Sequence, residues 1–170
     1  PESSLSVLDI GTGSGAIALA FANSRPDWQI IASDLSEDAL SLAAENTQSC
    51  GFSLTFVQSD CLDAIQGKFD IIVSNPPYIS EADKDEVGLN VLTSEPHMAL
   101  FAEEDGYAVY RKIAEQAGDY LTKKGKIYLE IGYKQGDGVR ELLKKSFPKK
   151  RIRVLKDQFG KDRMVAMDNG

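Results

Sequence analysis

The sequence is poor in the side chains that most often do chemistry. It has one histidine and two cysteines. A lone His97 cannot assemble a metal cluster. Cys50 and Cys61 have no CxxC or Cys/His company, so they read as thiols in a reducing, cytoplasmic compartment. No apolar run approaches the ~20 residues that cross a bilayer. The start shows no signal-peptide pattern. Basic charge is also short: 19 Lys and Arg stand against 26 Asp and Glu, for a net charge of −7. That balance argues against wide contact with nucleic acid, whose affinity comes mainly from cations on phosphates. The one basic run, "KKSFPKKRIR" from Lys144 to Arg153, reads as a solvated face across a helix–strand junction. Hydrophobic content of 42% over 170 residues suits one domain with a real core. The chain opens "PESSLSVLDI", without Met and almost directly on a strand. It is therefore expected to be a single catalytic domain over residues 1–170, cut from something longer.

What is present is an alternation. "SVLDI", Ser6 to Ile10, reads as a buried strand, followed by a helix from Ala16 to Asn23. A second strand runs Trp28 to Asp34. Ser36 is an N-cap, with Glu37 and Asp38 in the first turn of a helix that stops near Gly51. Strands over Leu54–Asp60 and Phe69–Asn75 come next. About thirty residues without periodicity follow, a length usually reserved for functional loops. Then come a helix from Gly106 to Leu121, a strand from Lys126 to Gly132, and a helix from Val139 to Phe147. "RIRVLKD" and "RMVAMD" close the chain as a hairpin turning at Gly160. Strands alternating with helices predict βαβ units. The expected fold is α/β, a mainly parallel seven-stranded sheet with an antiparallel C-terminal hairpin strand.

"LDIGTGSGAIALA" links the first strand to the first helix. Gly11, Gly13 and Gly15 let the backbone turn sharply and approach a ligand, beside the free N–H groups of a helix start. The pattern also fits a dinucleotide fingerprint, and Asp34 lies where a carboxylate accepts ribose hydroxyls. NAD and S-adenosylmethionine share adenosine, so both remain open on these residues. Asp9 either braces the turn or faces a ligand amino group. Asp60 either accepts from the adenine amine or caps the surface.

"SNPPYI" is the more specific segment. Asn75 supplies a side-chain carbonyl, and Pro76 a backbone carbonyl held off the sheet by two rings. Together they offer two acceptors to the N–H groups of a planar –NH₂. Tyr78 adds a flat aromatic face. Such a site would hold a poorly nucleophilic nitrogen in line with an electrophilic methyl group, with orientation doing much of the work.

Taken together, "VLDIGTGSG", Asp34, Asp60 and "SNPPYI" resemble the class I S-adenosylmethionine-dependent methyltransferases, which have a Rossmann-like fold. "SEPHMALFAEEDG", "LEIG" and "DQFGKDRMV" resemble the protein-(glutamine-N5) methyltransferases of peptide chain release factors, the PrmC/HemK family. The resemblance implies S-adenosyl-L-methionine as cofactor and the glutamine of a Gly-Gly-Gln motif in class 1 release factors as substrate. It implies that Gly11, Thr12, Gly13, Ser14, Gly15, Asp34 and Asn75 contact the cofactor. It also implies that Asn75, Pro76, Pro77 and Tyr78 hold the glutamine. The family often has Trp directly after the third-strand Asp, stacked on adenine. Cys61 stands there instead, so contact through backbone or thiol is expected and stacking is not. The family usually adds an N-terminal helical domain that this chain lacks.

Four other readings compete. Adenine N6 in a nucleic acid suits the same pocket but not the acidity, and a glutamine of a ribosomal protein also fits. An NAD-dependent oxidoreductase leaves "NPPY" unexplained and has no suitably placed catalytic His. A non-catalytic cofactor-binding module predicts binding without turnover. Glu95 and Glu130 either anchor loops or orient substrate, and neither is assigned as a base.

Overall fold

A computed structural model of the chain describes residues 4–52, 54–75 and 107–170. In chain order the elements are β1 (Ser6–Ile10), α1 (Ala16–Ser24), β2 (Gln29–Asp34), α2 (Glu37–Ser49), β3 (Thr55–Gln58) and β4 (Phe69–Ser74). They continue with α3 (Ala108–Gln116), a 3₁₀ turn (Ala117–Tyr120), β5 (Leu121–Glu130), α4 (Gly136–Ser146), β6 (Arg151–Lys156) and β7 (Asp162–Asp168). The strands form one seven-stranded sheet in the order β3-β2-β1-β4-β5-β7-β6. β1 through β5 pair in parallel, and β7 runs antiparallel to both β5 and β6. This is the expected Rossmann-like α/β architecture, with the predicted hairpin at its far edge.

Alternation along the central strands builds two cores. Val7, Ile71 and Val73 face one side and pack with Ala18, Ala22, Ile30 and Ala32. Leu8, Ile10 and Ile72 face the other and pack with Tyr110, Ile113, Val139 and Leu143. A strand buried on both faces needs apolar residues at every position, which is why "SVLDI" and "FDIIVS" read as continuous runs. Their one charged interior residue near the carboxyl end of β1, Asp9, is 1% exposed.

Ser36 caps α2 as expected: Ala39 N–H donates to Ser36 Oγ at 3.2 Å. Several boundaries differ from the sequence reading: α3 ends at Gln116 rather than Leu121, α4 begins at Gly136 rather than Val139, and two strands shift. β3 stops at Gln58, two residues before Asp60. β5 begins at Leu121 rather than Lys126, because the ladder to β4 jumps from Phe69↔Leu121 to Ile71↔Lys126. The residues between form a bulge, pinned where Thr122 Oγ1 donates to Asp70 Oδ1 at 3.0 Å. "TKKG" resembles a turn, and a bulge uses the same residues for the same conformational reason.

Candidate functional site

β1 lies between β2 and β4, so the order in which strands are added reverses at β1. Crevices at such reversals are where open α/β sheets bind ligands. Asp9, the glycine loop, Asp34 and Asn75, among the predicted residues, are at or beside this reversal. Ile10 pairs with Ser33 on one side and Ser74 on the other. Asn75, exposed, is the next residue after Ser74. Ser74 Oγ donates to Ile10 O at 2.7 Å, locking the base of the Asn75 segment to the start of the glycine loop.

The loop is fully specified by its backbone. Gly11, Gly13 and Gly15 have φ of 70°, 56° and 85°, all in the left-handed region that glycine tolerates. Gly15 also abuts α2: a Cβ there would lie 3.1 Å from Ala43 Cβ. It is the N-cap of α1 and offers no side-chain acceptor to that helix. Thr12 N–H donates to Ser33 O at 2.8 Å. Asn46 Nδ2 donates to Ser14 O at 2.8 Å, so α2 holds the loop's outer corner.

The carboxylates divide the work. Asp34 accepts from Gly13 N–H at 2.9 Å on one oxygen and from Ser36 N–H at 3.0 Å on the other. It therefore fastens the glycine loop and the α2 entrance together. A carboxylate offers about four lone-pair sites, so capacity for hydroxyl donors remains. Asp9 is the buried member. Thr12 Oγ1 donates to Asp9 Oδ2 at 2.7 Å. Its other oxygen, Oδ1, is also buried, and among the described residues it has no partner at full hydrogen-bond geometry, although the Ala18 N–H of α1 lies close enough to the carboxylate to favour its charge. Burial pushes the Asp9 carboxyl up to about 7, with the Asp34 charge adding and the Thr12 hydrogen bond opposing. One oxygen of Asp9 braces the turn, which is one of the two sequence options.

Asp60 lies just past β3, and the residue before it is tied in, since Ser59 N–H donates to Asp34 O at 3.0 Å. Its carboxylate pairs with Lys112 of α3 at 3.0 Å, and Lys112 also reaches Asp63 at 2.9 Å. Lys112 holds the Asp63 carboxyl below its usual range, aided by Gln116. Asp60 thus enters the site as one partner of an ion pair. Cys61 has a left-handed φ of 55° and is 8% exposed, packed in the core with Leu62 and Ile65. Burial pushes its thiol up to about 12. The thiol is a core side chain, which leaves the backbone of Cys61 as the part suited to ligand contact. Glu130 contributes its backbone carbonyl to Tyr110 Oη at 2.6 Å. Pro76, Pro77, Tyr78, Glu95 and His97 lie outside the described residues.

Sequence reasoning missed Ser33, Ser74, Asn46 and Lys112. Ser33 and Ser74 are small polar residues closing apolar strands, a visible signal. Asn46 and Lys112 act across the fold and leave no local trace.

The arrangement fits a ligand with a cationic amino group and a polar sugar. The unpartnered Asp9 Oδ1 suits an ammonium, the glycine loop admits close approach, and Asp34 lies one strand away. A family model described as methyltransferase small domain matches residues 1–100. A release factor glutamine methyltransferase of Streptococcus pneumoniae is 63% identical over 169 residues, spanning 99% of this chain and 61% of the relative. One from Lactococcus lactis is 52% identical over 166 residues, spanning 98% of this chain and 62% of the relative. The chain thus spans about three fifths of the length of these relatives. Among solved structures, a ribosomal protein L11 methylase from Lactobacillus delbrueckii superimposes with a TM-score of 0.70 at 23% identity. That match covers 98% of this chain and 70% of the other, and shows the shared fold.

Proposed function

The chain belongs to the methyltransferase small domain family, and from that premise we propose that it methylates N5 of the glutamine in the Gly-Gly-Gln motif of class 1 peptide chain release factors. The cofactor in this reading is S-adenosyl-L-methionine. The names of the relatives, at 63% and 52% identity, support the substrate. The observation that carries the chemistry is the juxtaposition at the switch point: Asp9 with an open buried oxygen on β1, and Asn75 one residue past the adjoining β4.

The cofactor, when bound, supplies a methyl group on a positively charged sulfur. Asp9 Oδ1 receives its ammonium, which needs a carboxylate to match its charge in a buried site. The carboxylate of Asp34 takes the ribose hydroxyls on lone pairs that Gly13 and Ser36 leave free. Asp60 and the Cys61 backbone face the adenine end. Asn75 Oδ1 and the Pro76 carbonyl accept the two N–H groups of the substrate amide. Two acceptors on those hydrogens raise electron density on nitrogen and fix its lone pair toward the methyl carbon. Pro77 and Tyr78 are assigned to the same amide by the family resemblance. The displaced proton leaves to water. A soluble translation factor as substrate supports a cytoplasmic location. No described helix is long and apolar enough to cross a membrane. The acidity of the chain disfavours a nucleic-acid substrate.

The test is label transfer from S-adenosylmethionine by the intact protein. Label should appear on a release factor, and on neither its Gln→Ala form nor DNA. Label on DNA, or persisting on the altered factor, would overturn the assignment.

A further inference from the structure

The end of the sheet that carries Asn75 also carries an aromatic and cationic surface that no step above uses. β5 neighbours β4, and β7 neighbours β5. Ile131 N–H donates to Arg163 O at 2.9 Å, extending the β5–β7 ladder past Glu130. Tyr133 and the β6–β7 hairpin tip, Asp157 to Lys161, therefore lie on the same rim as Asn75. Phe159 at that tip is 78% exposed, and Tyr133 is 52% exposed. Lys161 Nζ stands 4.9 Å from the Tyr133 ring centroid, and Lys134 Nζ stands 5.3 Å from it.

The tip is stiff. Asp157 N–H donates to Lys161 O at 2.8 Å, and Gly160 N–H returns to Asp157 O at 3.0 Å. Asp157 Oδ1 accepts from Phe159 N–H at 2.8 Å and Lys161 N–H at 3.1 Å. Arg163 Nη2 holds the other carboxylate oxygen at 3.1 Å. A large apolar ring held out in water on a braced turn gains nothing for the fold. Pre-organised aromatics ringed by cations are what protein interfaces use as anchors, because little freedom is lost on docking.

Position selects the occupant. Asp9, Asp34 and Asp60 place the cofactor over β1, β2 and β3, on one side of the switch point. Among the described residues, the β5–β7–β6 side is the one a polypeptide bringing its glutamine to Asn75 would approach over. The cations at Tyr133 favour a partner whose contacting surface is acidic. We propose that Phe159, Tyr133 and Lys161 form the docking surface for the protein that presents the acceptor glutamine. This rests on the functional reading above.

The experiment uses the intact enzyme with a release factor as substrate, and the variants Phe159→Ala and Lys161→Glu. An anchor of this kind should raise KM for the protein substrate about tenfold on truncation. The kcat at saturation and the Kd for S-adenosylmethionine should stay within about twofold, the margin left by surface substitutions. The loss from Lys161→Glu should shrink as salt is added. A KM for the protein substrate unchanged in both variants would overturn the docking surface and leave the functional reading standing. So would a loss of cofactor affinity in step with KM, which would mark the hairpin as structural. A wild-type enzyme that leaves the glutamine unlabelled would overturn the functional reading first, and this proposal with it.

Discussion

Asp9→Asn isolates the electrostatic cost stored beneath the glycine loop. The Asp9 carboxyl sits at about 7 in the folded chain against 3.8 as an ordinary side chain, because burial disfavours its charge. The folded value is the higher one, so the folded state holds the proton more tightly than the unfolded state. Stability from this group is therefore greatest below the ordinary value. It falls as pH rises through the interval between the two values, and levels off above the folded one. At about 1.4 kcal/mol per pH unit of separation, ionised Asp9 costs the cofactor-free chain about 4 kcal/mol in all, of which about 2–3 kcal/mol is lost between about pH 5 and about pH 8. Asparagine keeps an acceptor for the Thr12 hydroxyl and carries no charge. The assay is thermal unfolding of both proteins without cofactor across that range. One kcal/mol moves Tm by roughly 2–4 °C in a domain of this size. The advantage of Asp9→Asn over wild type should thus widen by roughly 5–10 °C from the acid end to the alkaline end. A difference that stays constant with pH would refute the argument, since it would mean that Asp9 is not a proton-holding buried acid. Added S-adenosylmethionine should erase part of wild type's alkaline deficit by supplying the missing cation, and should do less for the variant.

Asn75→Ala should leave most cofactor affinity, measured by calorimetry, and lower kcat by about two to three orders of magnitude, as loss of an orienting polar group does. A rate within a few-fold of wild type would remove Asn75 from the amide-binding role. Gly15→Ala should destabilise the fold by about 1–3 kcal/mol, because a left-handed φ and the nearby Ala43 both oppose the new methyl group. Denaturant unfolding reads this directly, and an unchanged midpoint would contradict the loop geometry.

The sequence displayed the frame of the site better than its wiring. β1, the glycine loop and the Ser36 cap were legible because each depends on neighbours in sequence: alternating burial, positive φ, and a hydroxyl three residues from its partner. The adjacency of β4 and β1 followed from the strand–helix alternation and the reversal rule for such sheets. The Asp34 contacts were not legible. Its expected role was toward a ligand, and the structure shows it first engaged by Gly13 and Ser36 N–H groups. Nor was the Lys112–Asp60 pair, which joins residues far apart in sequence through the packing of α3. Cys61 was read from what it replaces, while its burial is set by the turn that aims it inward. β5 began early because a bulge and a turn share composition, and only pairing with β4 separates them.

The Asp34 bridge has a kinetic side. A flexible glycine-rich loop would need to be captured in the right shape at each encounter, and association would slow by the fraction of time it spends elsewhere. Here Asp34, the carboxylate proposed to take the sugar hydroxyls, already grips Gly13 and Ser36. The loop waits in its working shape, so the arrival rate of cofactor is set by diffusion and access to the crevice. Differences in cofactor affinity among variants of this loop then belong to how long the complex lasts rather than how fast it forms.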